Sequence, residues 1–230
     1  MFVRFKLKNT PCDHEQLFDY QLITLEKRNC PPAIIQAFKG ARKKVLAHAL
    51  SLTEAEDHVS FVPVITPCHL GYHGLIGLLR HNKMGGIADC EADRISDLEK
   101  VPERLYYIFG VEDGTEWFDL VPEVSHILIC QEKRLPATTA EAISIAIHSD
   151  VLGRHSLVAT GSRYASDRTP IICLNVVWPD ADRSALGPAN PGEYGASLLK
   201  SELGRPSLGW WYSDSPSHGG APSCTSRLEI

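Results

Sequence analysis

The sequence has no long apolar stretch and no concentration of positive charge. No run approaches the roughly 18 apolar residues that a membrane-spanning helix needs, and the densest basic run is Arg42-Lys43-Lys44. The 23 lysines and arginines are outnumbered by 28 acidic residues, which gives a net charge of −5. Nucleic-acid-binding domains usually carry a basic stripe. We therefore expect a protein that binds neither membranes nor nucleic acid.

Four short catalytic motifs are also missing, namely GxxxxGKS/T, GxGxxG, GxSxG and HExxH. The first two cradle phosphate groups, the third presents a nucleophilic serine, and the fourth holds a zinc ion. Their absence argues against the common nucleotide-hydrolysing enzymes, the usual serine hydrolases and the familiar zinc proteases. No cofactor is predicted.

The seven cysteines are scattered along the chain, and none forms a CxxC pair. An odd number of unpaired positions is typical of reduced, mostly buried thiols. Residues 1–8 alternate in polarity and lack the continuous apolar segment of a signal peptide. The pattern predicts a cytoplasmic protein.

The composition is that of a folded domain, with 43% hydrophobic and 22% charged residues. Asp13, followed three residues later by Gln16, predicts a helix start through a capping box. Asn29 ends this helix, and Pro32 suits the first turn of a second one. We assign residues 1–57 to an N-terminal helical region built from this pair.

The remaining residues, 58–230, predict an α+β body that is continuous with the helices. Alternating or apolar runs predict strands at 59–65, 105–111, 157–160, 171–178 and 208–212, with Pro63 placing the first at a sheet edge or at a bulge. Helices are predicted at 68–80, 95–98, 122–133, from 138 onward and at 196–203. The helix after Thr138 is apolar nearly all round and should be central. The predicted fold is the helical pair packed on a mixed, largely antiparallel sheet around that central apolar helix.

Five segments together resemble a bacterial family known only as a domain of unknown function. They read YYIFGVEDG at 106–114, LPATTAEAI at 135–143, ATGSR at 159–163, LGWW at 208–211 and SCTSR at 223–227. The resemblance covers about the second half of the chain and implies that this half is one continuous unit. It implies no catalytic residue, because no activity attaches to the family. The chain departs from the pattern at Thr225, where Ala is more usual, and in an added loop at 179–191.

Two Ser-Arg pairs and an aromatic strand predict a ligand-binding surface. Arginine recognises carboxylate or phosphate with two parallel hydrogen bonds, and an indole beside it suits a sugar, a nucleobase or a peptide. The prediction requires Arg163 and Arg227 to converge. Its structural alternative is that each arginine pairs with a nearby acid. The predicted ligand-binding residues are Ser162, Arg163, Arg168, Trp211 and Arg227.

Cys224 is the candidate nucleophile, because His218 and Arg227 are close to it in sequence. A thiolate needs a nearby base or positive charge at neutral pH. The alternative is an ordinary free thiol in a polar C-terminal tail at 216–226.

A metal site is a further alternative in the segment that contains Cys68, His69, His73 and Cys90. The two histidines are four residues apart and would share a helical face. Packing or surface exposure would explain the same residues, and no metal is assigned.

These features favour a module that binds a ligand or a partner through an arginine-lined polar pocket. The ligand would be small and polar or anionic, and a partner would be another protein or a second copy of the chain. Two alternatives remain open: an enzyme that uses Cys/His chemistry on such a substrate, and a zinc-binding protein.

Overall fold

A computed structural model describes residues 13–52, 58–174, 204–215, 217 and 219–230. Three helices open the described chain: α1 (His14–Lys27), α2 (Pro32–Gly40) and α3 (Arg42–Leu50). Asp13 caps α1 by accepting hydrogen bonds from the amides of Glu15 and Gln16. The predicted second helix is therefore two short helices that meet at Ala41.

The N-terminal helices pack against a three-stranded antiparallel sheet. Its order is β1 (Val59–Val64), β6 (Tyr106–Val111) and β14 (Ser226–Glu229). Pro63 lies in the edge strand β1, as predicted, because an edge tolerates the missing amide donor. The side-chain amide of Gln21 in α1 donates to the carbonyl of Phe61 at 2.6 Å and ties the helix to this sheet.

The larger sheet has the order β12-β8-β10-β11-β4, with β9 paired to β10 and β5 paired to β9. Its members are β4 (Ile87–Ala88), β5 (Ile95–Asp97), β8 (Ser156–Val158), β9 (Ser162–Tyr164), β10 (Arg168–Leu174), β11 (Pro206–Tyr212) and β12 (Gly219–Gly220). The pairs β11–β4 and β12–β8 are parallel, and the others are antiparallel. This confirms a mixed, largely antiparallel α+β fold.

The helix predicted at 95–98 is wrong, because Ile95–Asp97 forms strand β5 and pairs with β9. Four residues make too short a segment for periodicity to separate a helical turn from a strand. The predicted long loop between β8 and β10 likewise contains β9. The loop predicted at 179–191 and the helix predicted at 196–203 lie outside the described residues.

The central helix is α6 (Thr139–His148), and all ten of its residues are buried. The other helices are α4 (Pro67–Leu78) and α5 (Pro122–Gln131). Two short antiparallel strand pairs complete the described fold: the hairpin of β2 (Arg80–His81) with β3 (Met84–Gly85), and the pair of β7 (Leu135–Pro136) with β13 (Ser223–Cys224), which are distant in sequence. Helix α4 is kinked at Gly71, whose positive φ of 62° favours glycine. None of the helices in the described chain has the length and apolar character to span a bilayer.

The C-terminal segment packs on the body rather than forming a free tail. Strand β13 pairs with β7, and β14 pairs with β6. Two of the predicted site residues, Cys224 and Arg227, therefore lie inside the fold next to the start of α6.

Candidate functional site

A buried ion pair lies at the N-terminus of the central helix. Arg227 donates from Nε and Nη2 to the two carboxylate oxygens of Glu141, at 2.6 and 2.9 Å, and the Glu141 side chain is 0% exposed. Tyr106 donates its hydroxyl to the same carboxylate, and the amide of Thr138 donates to it at 2.8 Å. Burial alone lowers the pKa of Arg227, but the hydrogen bonds and charge of Glu141 raise it above its usual value.

A second group of polar residues adjoins this pair. Ser162 accepts a hydrogen bond from the amide of Thr139 and donates to Asp97 at 2.6 Å. Burial raises the pKa of Asp97, while the Ser162 hydrogen bond lowers it by a smaller amount. The segment 160–162 is held close to the backbone of β7, because a Cβ on Gly161 would lie 2.6 Å from the carbonyl oxygen of Pro136.

The same segment orients a histidine next to two further potential metal ligands. Nδ1 of His126 lies 2.8 Å from the carbonyl oxygen of Thr160, and only a protonated nitrogen can donate to a carbonyl. The other ring nitrogen, Nε2, faces Glu99 at 4.0 Å. Cys130 follows one helical turn later on α5, and the candidate ligand atoms of Glu99, His126 and Cys130 all lie within 4.8 Å of one another. We call these three residues the 99/126/130 cluster.

The cluster is open to solvent on one side. Glu99 and His126 are half-buried, and Cys130 is exposed. Burial and the nearby charge of Glu99 raise the pKa of the Cys130 thiol. A doubly charged cation between these groups would offset that repulsion.

A cleft of about 660 Å³ is lined in part by the segment that begins at Lys100, the residue after Glu99. Three cationic and two acidic side chains contribute to it. It is lined by Lys100, Val101, Pro102, Glu103, Arg104, Arg227 and Glu229.

Most of the chain matches the sequence model of one protein family. The match covers residues 22–186, which is 165 of the 230 residues. The chain belongs to DUF5701, a family of unknown function. Searches among curated proteins and among solved structures found no match.

The DUF5701 match confirms the predicted resemblance to a domain of unknown function and extends it toward the N-terminus. It begins within α1 and includes the whole 99/126/130 cluster and Glu141. Arg227 lies beyond the matched range. At Thr225, where Ala was expected, the hydroxyl donates to the carbonyl of Phe109 at 3.0 Å, a contact that alanine would lack.

The predicted arginines each have a partner of their own. Arg227 is paired with Glu141, and Arg163 lies 3.9 Å from Glu123 and donates to the carbonyl of Ser162. Arg168 stacks on the ring of Trp210, 3.6 Å from its centre. Trp211 is half-buried on β11, opposite Thr169 of β10. Of the predicted ligand-binding residues, Arg227 lines the cleft, and Ser162 lies in the polar group beside it.

Of the two predicted catalytic residues, only Cys224 is among the described residues. Cys224 is 0% exposed, and burial raises the pKa of its thiol far above the usual value, which favours the neutral form. His218 lies outside the described residues. Their proposed partnership stays a prediction.

The candidate metal ligands from the sequence do not lie close enough together in the described chain to share one ion. Cys68, His73 and Cys90 form no compact set of ligand atoms in the described part of the chain, whereas the 99/126/130 cluster does. His126 and Cys130 are four residues apart on helix α5, and this is the same spacing that made His69 and His73 candidate ligands in the sequence. Glu99 comes from a distant segment after β5, and no local pattern indicates it.

Proposed function

We propose that the protein binds a divalent transition-metal ion, with zinc as the best fit, through Glu99, His126 and Cys130. The observation that supports this most directly is the imidazole of His126. Its Nδ1 is engaged by a backbone carbonyl, and its Nε2 points toward a carboxylate and a thiol.

The hydrogen bond from His126 to Thr160 is the arrangement that metal sites use to orient a histidine ligand. A ligating histidine almost always donates its other ring N–H to a carbonyl or carboxylate, which selects the tautomer and presents a lone pair to the metal. The 2.8 Å contact supplies that orientation before any ion is bound.

The three donor types and their spacing suit zinc. Zinc accepts imidazole nitrogen, thiolate sulfur and carboxylate oxygen, with bonds of about 2.0–2.3 Å. In a tetrahedral site these bond lengths place neighbouring ligand atoms about 3.3–3.6 Å apart. Because Nε2 and the Glu99 carboxylate are 4.0 Å apart, small side-chain rotations would close the site.

Three protein ligands leave a fourth position for water or a substrate atom. Catalytic zinc sites have this arrangement, whereas structural sites are closed by four protein ligands. Cys130 is exposed, so the fourth position would face solvent. The site therefore favours a metal that activates water over a metal that only holds the fold together.

The test is metal binding by the metal-free protein, followed by calorimetry with Zn²⁺ and by absorption spectroscopy with Co²⁺. We expect one ion per chain and a thiolate-to-cobalt charge-transfer band. His126→Asn keeps an N–H for Thr160 and removes the ligating nitrogen, so affinity should fall at least about tenfold. Glu99→Gln and Cys130→Ser should weaken binding as well, and Cys130→Ser should abolish the band.

Cys68→Ser and His73→Asn are the matched controls, because they alter a thiol and an imidazole of the rival set. Both should bind like the parent protein. The proposal fails if the parent binds no ion, or if binding is lost in Cys68→Ser and kept in His126→Asn.

A second candidate function is the binding of a small anionic ligand in the cleft lined by Lys100, Arg104 and Arg227. The cleft volume of about 660 Å³ is in the range of small-molecule sites. Arg227 is committed to Glu141, so Lys100 would bind the anion together with Arg104, which would exchange its exposed 3.9 Å contact with Glu229 for the ligand. A ligand that prefers the folded state raises the melting temperature. Inorganic phosphate and citrate should do so for the parent protein and not for Lys100→Met/Arg104→Met. Equal shifts for both proteins would exclude the cleft.

A further inference from the structure

Cys68 and His69 form a thiol–imidazole pair at the protein surface, where helix α4 begins. The sulfur lies 3.3 Å from Nδ1 of His69, and both side chains are exposed. The buried hydroxyl of Thr66 lies 2.8 Å from the sulfur and 2.8 Å from the same ring nitrogen. Thr66 therefore holds the two side chains against each other.

The single proton of the thiol has three neighbouring acceptors. They are the hydroxyl oxygen of Thr66, which itself donates to the carbonyl of Glu103 at 3.1 Å, the same carbonyl oxygen, 2.9 Å from the sulfur, and Nδ1 of His69. A hydroxyl or a carbonyl can accept the hydrogen bond but cannot take the proton away at neutral pH, whereas a neutral imidazole can. The pair thus contains a nucleophile and a base within contact distance.

We propose that Cys68 is a nucleophilic thiol with His69 as its base, and that it exchanges with low-molecular-weight disulfides. His69 takes the thiol proton, and the Cys68 sulfur uses its electron pair to form a new S–S bond with one sulfur of the disulfide. The original S–S bond breaks, and its electron pair leaves with the second sulfur, which takes the proton from His69. The products are a mixed disulfide on Cys68 and one free small thiol, with no net change in oxidation level.

Thiol–disulfide exchange is the reaction that this surface supports, because its two requirements are a thiolate and access of the disulfide to that thiolate. Cys68 provides access through its exposure, and His69 provides the base. Buried Cys224 and Cys30 lack that access, and burial raises the pKa of both thiols.

The experiment measures the rate of modification at each cysteine with oxidised glutathione at pH 7. The protein is reduced and treated with EDTA, so the result does not depend on the 99/126/130 cluster. Peptide mass spectrometry follows Cys68 and, in the same molecules, the exposed thiol of Cys130 as the internal control. His69→Asn removes the base, and Cys68→Ser identifies the modified peptide.

We expect Cys68 to react about tenfold faster than Cys130, because the Cys68 sulfur lies 3.3 Å from its base, whereas no hydrogen bond joins the Cys130 sulfur to a base among the described residues. In His69→Asn the Cys68 rate should fall about tenfold while the Cys130 rate stays constant. The proposal is overturned if Cys68 reacts no faster than Cys130 in the parent protein. It is also overturned if His69→Asn leaves the Cys68 rate unchanged.

Discussion

Replacing Arg227 by Met should destabilise the protein strongly, because the change leaves the carboxylate of Glu141 buried without its cation. Arg227 makes two hydrogen bonds to that carboxylate and a third, at 3.2 Å, to the carbonyl of Pro136. Methionine fills most of the volume of the arginine stem, so the loss is chiefly electrostatic. Removing one partner of a buried ion pair costs about 3–5 kcal/mol.

Urea denaturation followed by circular dichroism measures this cost, and Arg104→Met is the matched control. Arg104 is 79% exposed and lies 3.9 Å from Glu229, so its removal should change the free energy of unfolding by less than about 1 kcal/mol. For a chain of 230 residues, 3–5 kcal/mol lowers the melting temperature by about 6–20 °C.

The double variant Arg227→Met/Glu141→Gln distinguishes a charge effect from a packing effect. The uncharged amide needs no counter-ion, and its oxygen can still accept from Tyr106 or Thr138. The double variant should therefore be more stable than Arg227→Met alone. The reasoning is refuted if Arg227→Met costs no more than Arg104→Met.

Three further changes test other parts of the structure. Gly161→Ala should lower the free energy of unfolding, measured by thermal denaturation, by about 1–3 kcal/mol, because the new Cβ would lie 2.6 Å from a backbone carbonyl oxygen. The resulting shift of Thr160 should also weaken metal binding, since Thr160 orients His126. Gly153→Ala, whose Cβ would have no neighbour within 4 Å, should be nearly neutral, and equal effects would contradict the argument. Burial raises the pKa of Glu112 from 4.5 to about 7. The contribution of Glu112 to the free energy of unfolding therefore decreases as the pH rises from 4.5 to about 7, because the folded protein must then ionise a buried carboxyl. Urea titrations should therefore show that Glu112→Gln gains stability relative to the parent protein when the pH is raised from 5 to 8. The gain in the free energy of unfolding should be at most about 3 kcal/mol. A difference between variant and parent that is the same at both pH values would contradict the raised pKa. Burial lowers the pKa of His148 from 6.5 to about 3, so stability is lost as the pH falls from 6.5 toward 3. His148→Leu should flatten this acid slope in urea titrations between pH 7 and pH 4, and an unchanged slope would exclude His148 as its source.

Much of the fold follows from local patterns. The cap at Asp13, the proline at the start of α2 and the edge position of Pro63 were all predicted, because each reflects backbone hydrogen bonding within a few residues. The uniform apolar character of α6 likewise indicated its central position. The short strand β5 was missed, since its partner β9 is more than 60 residues away and supplies the pairing that defines it.

The candidate site was predicted less well. Residue types were informative: a cysteine beside a histidine, and an i, i+4 pair on a helix, are both present in the structure. The proposed sites have them at Cys68 with His69 and at His126 with Cys130, whereas the pairing of Cys224 with His218 stays a prediction. Spacing in sequence alone does not reveal which side of a helix meets a third ligand such as Glu99.

The sequence by itself indicated the α+β class, the positions of the main helices and of the longer strands in the described chain, and the family, because these depend on short-range periodicity, capping and recurring segments. Only the tertiary structure decided that Arg227 pairs with Glu141, 86 residues away, and that Cys224 is buried. The physical reason is that burial and charge pairing depend on the distance in space between groups. That distance is set when the C-terminal strands pair with β6 and β7, and no local property of those strands encodes it.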